Sequence, residues 1–160
     1  MQTKNLTKTA IFMALTTITT MVVNIPIPAT GGYVNLSDTT VLLGALLLPF
    51  PYNLISGGLG PMLADLILGY SVYAPATLVI KAVEAYLAYL LFKKFSTKPF
   101  IAFFIACLSM PLGYFIYETF LYNANTALGA VIPNIIQGLV GALVASLIYI
   151  PIKKNVKSIK

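Results

Sequence analysis

Histidine, tryptophan and arginine are absent from these 160 residues, cysteine occurs once, and only 9% of positions carry a charge. Each absence closes off a kind of chemistry. Without histidine there is neither a Ser-His-Asp triad nor a histidine-based zinc site. One cysteine builds no disulfide framework, and Cys107 lies in the apolar run 103–108, where a thiol packs rather than reacts. No Gly-x-x-x-x-Gly-Lys-Ser/Thr loop occurs, so the chain is not by itself a P-loop ATPase. No His-Glu-x-x-His or Gly-x-Ser-x-Gly pattern supports hydrolysis either. The expectation is a protein without metal, cofactor or catalytic residue, and not an enzyme.

What is present is apolar. Hydrophobic residues make up 59% of the chain, whereas a soluble domain has about a quarter of its residues charged. Apolar runs divided by Pro, Gly and polar breaks predict an all-α fold of six transmembrane helices in a single domain. The spans fall near 9–27, 37–50, 53–70, 73–92, 99–122 and 127–152. The second is short and ends at Pro49-Phe50-Pro51; the third carries Gly57, Gly58, Gly60, Pro61 and Asp65. A re-entrant hairpin in place of these two keeps the same parity of crossings. Lys4 and Lys8 ahead of an apolar stretch also fit a signal peptide, but no small-x-small cleavage site precedes Gly31, which favours a first span.

The net charge of +6 comes from lysine alone, and the lysines cluster. Lys4 and Lys8 open the chain, Lys93, Lys94 and Lys98 share one polar break, and Lys153, Lys154, Lys157 and Lys160 close it. By the positive-inside rule these three places face the cytoplasm, with both termini inside, which six crossings of a bacterial plasma membrane satisfy. A nucleic-acid surface spreads its basic residues along a face, so no nucleic-acid partner is expected. The connections assigned to the outer side are 28–36, 70–73 and 123–126, and none carries a lysine. The first is the longest, hinged at Gly31 and Gly32, with Tyr33 near its middle and Ser37 placed to cap the next helix. It reads either as a surface turn or as a flap over an outward-facing pocket.

Charges inside a bilayer are expensive, so Asp38, Asp65, Lys81, Glu84 and Glu118 are each a functional hypothesis. The helical rise places all but Glu84 in the outer half, together with Asn134 and Gln137. Thr77, Lys81 and Glu84 share a face of the fourth span, Tyr114, Glu118 and Tyr122 one of the fifth, and Asn134, Gln137 and Gly141 one of the sixth. Three polar stripes thus converge on a cavity reached from outside. The plainer readings are a local Lys81–Glu84 ion pair, Asp38 complementing a helix start, and Asp65 serving a glycine-broken helix end. Four carboxylates against Lys81 require protons, water or a donating ligand. Tyr33, Tyr73, Tyr114 and Tyr122 suit the walls of a site for a small aromatic heterocycle, or simply anchor at the interface. Small residues let helices approach at Ala10 and Ala14 on the first span and at Gly138, Gly141, Ala142, Ala145 and Ser146 on the last. The last set is expected to pack internally and the first to be open to a partner subunit.

The chain resembles the substrate-binding S-component of energy-coupling factor vitamin transporters. Ala10-Ile11-Phe12-Met13-Ala14 matches the family's Ala-x-x-x-Ala on the first helix, and the resemblance covers essentially the whole chain. Residues 31–38 (Gly-Gly-Tyr-Val-Asn-Leu-Ser-Asp) leading into 42–46, Gly57-Gly58-Leu59-Gly60 with Ala64-Asp65, and Tyr73-Ala74-Pro75-Ala76-Thr77 with Lys81 and Glu84 look like the hydroxymethylpyrimidine or vitamin B6 branch. The resemblance implies a vitamin captured between the first outer loop and helices four to six. It also implies a transmembrane coupling subunit contacting Ala10 and Ala14, and two cytoplasmic ATPases. Thiamine-binding members carry tryptophan and histidine at the site; this chain has neither, which argues against thiamine itself. The expected substrate contacts are Tyr33, Asn35, Lys81, Glu84, Tyr114, Glu118, Asn134 and Gln137. Glu84 and Glu118 would accept from ring or amino nitrogens, Lys81 would pair with one of them or donate to a ligand hydroxyl, and Tyr33 and Tyr114 would stack or cover. The competing accounts are a stand-alone proton-coupled carrier and a scaffold protein that binds no small molecule.

Overall fold

The computed structural model describes residues 2–93 and 98–155, with side chains as far as Ile152. Lys94, Lys157 and Lys160, and the side chains of Lys153 and Lys154, lie outside the described residues. The elements run α1 (Gln2–Val22), β1 (Ile25–Pro26), β2 (Tyr33–Val34), α2 (Ser37–Leu47), α3 (Tyr52–Leu68), α4 (Ala74–Lys93), α5 (Pro99–Cys107), α6 (Ser109–Leu121) and α7 (Ala124–Asn155). This is an all-helical, multi-pass membrane protein. By length and composition α4, the α5–α6 run Pro99–Leu121, and α7 over Ala124–Ile152 can each cross a bilayer. At 11 residues α2 is too short to cross a hydrocarbon core of about 30 Å alone, and α3, at 17, sits at the lower limit.

Three local features differ from expectation, each for a chain-level reason. The first helix stops at Val22 rather than near residue 27. Pro26 and Pro28 bias Ile25 and Ile27 before them towards extended backbone, and Ile25–Pro26 pairs antiparallel with Tyr33–Val34, so the first connection folds back on itself as a small hairpin. The fifth segment is two helices, interrupted at Leu108. Pro111 has no N–H to offer the Cys107 carbonyl four residues earlier, and the helical ladder breaks there. Ser37 does not cap α2: it is the first helical residue, its N–H donates to Asn35 Oδ1 at 2.9 Å, and its own hydroxyl has no partner among the described residues.

The glycines of α3 do not break it. They are the surface on which its neighbours sit. A Cβ at Gly60 would lie 2.8 Å from Thr16 Cβ of α1, and one at Gly57 would lie 2.8 Å from Ala85 Cβ of α4. Thr17 Oγ1 uses the close approach to bond Gly60 O at 2.9 Å. The α1 threonines return their hydroxyls to the helix itself, Thr16 to Phe12 O and Thr20 to Thr16 O, and so bury without stranding a polar group. Around α2 the core closes with Val41, Leu42, Ala45 and Leu46 against Ala85 and Ala88 of α4, Phe103 and Ala106 of α5, and Ala142, Ala145 and Tyr149 of α7. The small residues of α7 therefore pack inside the molecule, whereas Ala10 and Ala14 lie on the exposed face of α1.

Candidate functional site

Where the first connection meets α3, α4, α6 and α7, the structure forms a polar cavity with a free volume of about 20 Å³, room for a single water. Its walls include Tyr33 and Asn35 of the connection, Asp65 of α3, Lys81 of α4, Tyr114 and Glu118 of α6, and Asn134 and Gln137 of α7. Seven of the eight expected contact residues thus share one cavity. Glu84 is the exception: it is fully buried one turn beyond Lys81 and does not line the space. Its place among cavity residues is taken by Asp65, with Tyr73 and Thr77 as further lining.

Behind the cavity wall lies a buried charged cluster. Lys81 Nζ donates to Asp38 Oδ1 at 2.7 Å and to Glu84 Oε2 at 2.9 Å, with all three side chains no more than 1% exposed. The Lys81–Glu84 contact is therefore not a self-contained pair, and Asp38 is more than a complement to a helix start. Gln137 Nε2 donates to the other Asp38 oxygen at 2.6 Å, while Gln137 Oε1 accepts the Asn35 backbone N–H at 2.7 Å. The amide of α7 thus joins the first connection to the cluster. α2 reaches this position because α7 carries no side chain opposite it: a Cβ at Gly141 would lie 2.4 Å from Asp38 Cβ.

Two tyrosines tie the connection down from the other side. Tyr33 Oη donates to Asp65 Oδ1 at 2.5 Å. Burial, and then the neighbouring Asp65 carboxylate, push the Tyr33 phenol well above its ordinary range, so it stays a donor at any physiological pH. Tyr73 Oη lies 2.9 Å from Thr30 O and 3.1 Å from Glu118 Oε1, and Thr77 Oγ1 shares a hydrogen with Tyr114 Oη at 3.0 Å. Tyr122, placed by spacing on the Glu118 face, falls at the end of α6, is 46% exposed and does not line the cavity. Among the described residues no group of three or more His, Cys, Asp or Glu side chains offers a metal site.

The roles of Asp38 and Asp65 were hidden for different reasons. Asp38 sits in the first turn of a helix, where an acid needs no further explanation, and its cation is 43 residues away. Asp65 sits beside glycines that suggested a helix end, and its partner Tyr33 is 32 residues away. The available signal was the one common to both, an acid inside an apolar segment.

Fold and site together define a membrane-embedded helical unit with a small polar cavity beneath the connection between its first two helices. The family model for the ECF-type riboflavin transporter S component matches residues 1–154, and the chain belongs to that family of vitamin transport proteins. It is 32% identical over 146 residues to the thiamine precursor transporter HmpT of Lactococcus lactis subsp. cremoris (strain MG1363), covering 91% of this chain and 85% of that protein. It is also 34% identical over 143 residues to an uncharacterized protein of Pyrococcus woesei, covering 88% of this chain and 95% of the other. The first of these likenesses agrees with the branch that the sequence motifs resemble.

Proposed function

We propose that this chain is the substrate-capture subunit of an energy-coupling factor importer. It takes a small vitamin or vitamin precursor, a hydroxymethylpyrimidine-like or pyridoxine-like heterocycle, from outside and hands it through an ATP-driven complex. The observation that carries this reading is the polar cavity, where aromatic walls meet charged and amide groups beneath a connection tied down at several points. Tyr33, Asn35, Lys81, Tyr114, Glu118, Asn134 and Gln137 are its binding residues, and Glu84 acts through Lys81. A free volume of about 20 Å³ holds no ring as it stands, so the connection lifts to admit the ligand. The fold crosses the membrane six times with both termini in the cytoplasm, α2 and α3 contributing two short crossings. Lacking a P-loop, the subunit meets a transmembrane coupling subunit at Ala10 and Ala14, and two ATPases supply the energy.

The test is native mass spectrometry and calorimetry of the purified protein with a panel of B vitamins and their precursors, followed by uptake into liposomes. The expected result is stoichiometric binding of a one-ring heterocycle by the lone subunit, with uptake only when the coupling subunit, the ATPases and ATP are present. Uptake by the lone subunit driven by a pH gradient would establish a proton-coupled carrier instead.

A further inference from the structure

Asp65 and Glu118 come from different helices, are each 2% exposed, and face the same cavity. In both, one carboxylate oxygen is engaged: Asp65 Oδ1 by the Tyr33 hydroxyl and Glu118 Oε1 by the Tyr73 hydroxyl. The other oxygen of each, Asp65 Oδ2 and Glu118 Oε2, has no hydrogen-bond partner among the described residues. A carboxylate oxygen left unpaired in a buried site is costly, and native proteins keep such groups where a ligand or water completes them. The tyrosine donors at these two acids are already committed to their first oxygens. Tyr33 gives its one hydrogen to Asp65, Tyr73 has one hydrogen between Thr30 O and Glu118, and Lys81 turns two of its three towards Asp38 and Glu84.

We propose that Asp65 and Glu118 are the specificity-determining pair of this site, each demanding one hydrogen-bond donor from the ligand. The ligand class is then a flat nitrogen heterocycle carrying at least two donor substituents, amino or hydroxyl, at separate ring positions. This rests on the binding role proposed above and adds to it a rule for acceptance. A ring with a single donor leaves one buried oxygen unpaired, and a site built around such groups rejects an analogue that fails to satisfy them far more strongly than one that merely fits loosely. Asp65, on α3 and outside the three polar stripes, is thereby a recognition residue rather than a helix terminator.

Calorimetry on the purified wild-type protein reads this directly, using an amino-hydroxymethylpyrimidine, its analogue without the amine, its analogue with methyl in place of hydroxymethyl, and pyridoxine. Removing either donor should weaken binding at least about tenfold, the loss of one charge-assisted hydrogen bond. D65N and E118Q complete the cycle. Each keeps a carbonyl oxygen for its tyrosine and replaces the free acceptor with an N–H. Each should weaken the parent ligand about tenfold or more and make binding indifferent to the loss of the donor that the changed residue had accepted. If both analogues bind the wild type within about twofold of the parent, water serves these oxygens and the proposal is overturned. If D65N and E118Q weaken parent and analogues by one common factor, the acids have only a structural role, which overturns it too. If the wild-type protein binds none of these rings, the capture role itself fails, an outcome distinct from the other two.

Discussion

Lys81 is among the largest fully buried side chains of the described residues, and its ammonium is bonded to two carboxylates. Two carboxylates from different helices meet its ammonium, so removing it strands both in a medium that solvates neither. Breaking a buried charge cluster from one side typically costs about 3–5 kcal/mol. Lys81→Met should accordingly lower the thermal unfolding midpoint in detergent by more than Tyr33→Phe, which removes one hydrogen bond to a carboxylate, about 1.5–3 kcal/mol. Equal midpoints for the two variants would mean that Asp38 and Glu84 hold their positions without the lysine. Gly141 answers to the same cluster through space rather than charge. A Cβ there would lie 2.4 Å from Asp38 Cβ and 3.3 Å from backbone atoms of Asp38 and Thr39, none of which is a flexible side-chain end. Gly141→Ala should therefore cost about 1–3 kcal/mol through overpacking, visible in the same melt. At this scale helix periodicity made Lys81 and Glu84 legible as neighbours. It could not show Asp38 as the third member, because 43 residues and a helix–helix contact separate it from Lys81.

The elements that matter most are the short ones. The hairpin between α1 and α2 buries little apolar surface of its own and is held by side chains reaching from other helices: Asp65 on Tyr33, Gln137 on Asn35, and Tyr73 on the Thr30 carbonyl. Gln137→Ala removes the bond to Asn35 and at once leaves Asp38 Oδ2 unpaired. The expected outcome is faster amide hydrogen exchange across residues 25–36 in the ligand-free protein, with α4 unchanged, because local opening responds to the ties of that segment alone. Unaltered exchange there would show that the remaining two ties suffice. The turn in this connection was legible from Gly31, which adopts a φ of 66°, and from the prolines. Its hairpin was not, since a ladder of two residue pairs has no periodicity to detect. The reverse happened in α3, where glycines read as breaks are points of contact. Composition alone does not distinguish a glycine that ends a helix from one that admits a neighbouring helix.

Across the whole molecule, α1 presents two unlike sides. One side carries Thr16, Thr17 and Thr20 and lies on α3, where Gly60 lets the backbones approach. The other carries Ala10 and Ala14 among Leu6, Ile11, Leu15 and Ile18, all exposed, and it makes no part of the cavity wall. In a membrane such a face meets either lipid, which tolerates any apolar shape, or a helix, which needs the small residues for close approach. The two alternatives separate cleanly. Leucine at both positions adds bulk without touching the core or the polar site, so the doubly substituted Ala10→Leu, Ala14→Leu protein should melt with the wild type and bind its ligand within about twofold of wild-type affinity. If a coupling subunit seats its helix there, the same protein should fail to co-purify with that subunit and lose ATP-driven uptake. Intact assembly would leave this face to lipid and move the contact elsewhere on the molecule. A parallel loss of ligand binding would instead mean that α1 conveys packing strain through Gly60 into α3, and thence to Asp65.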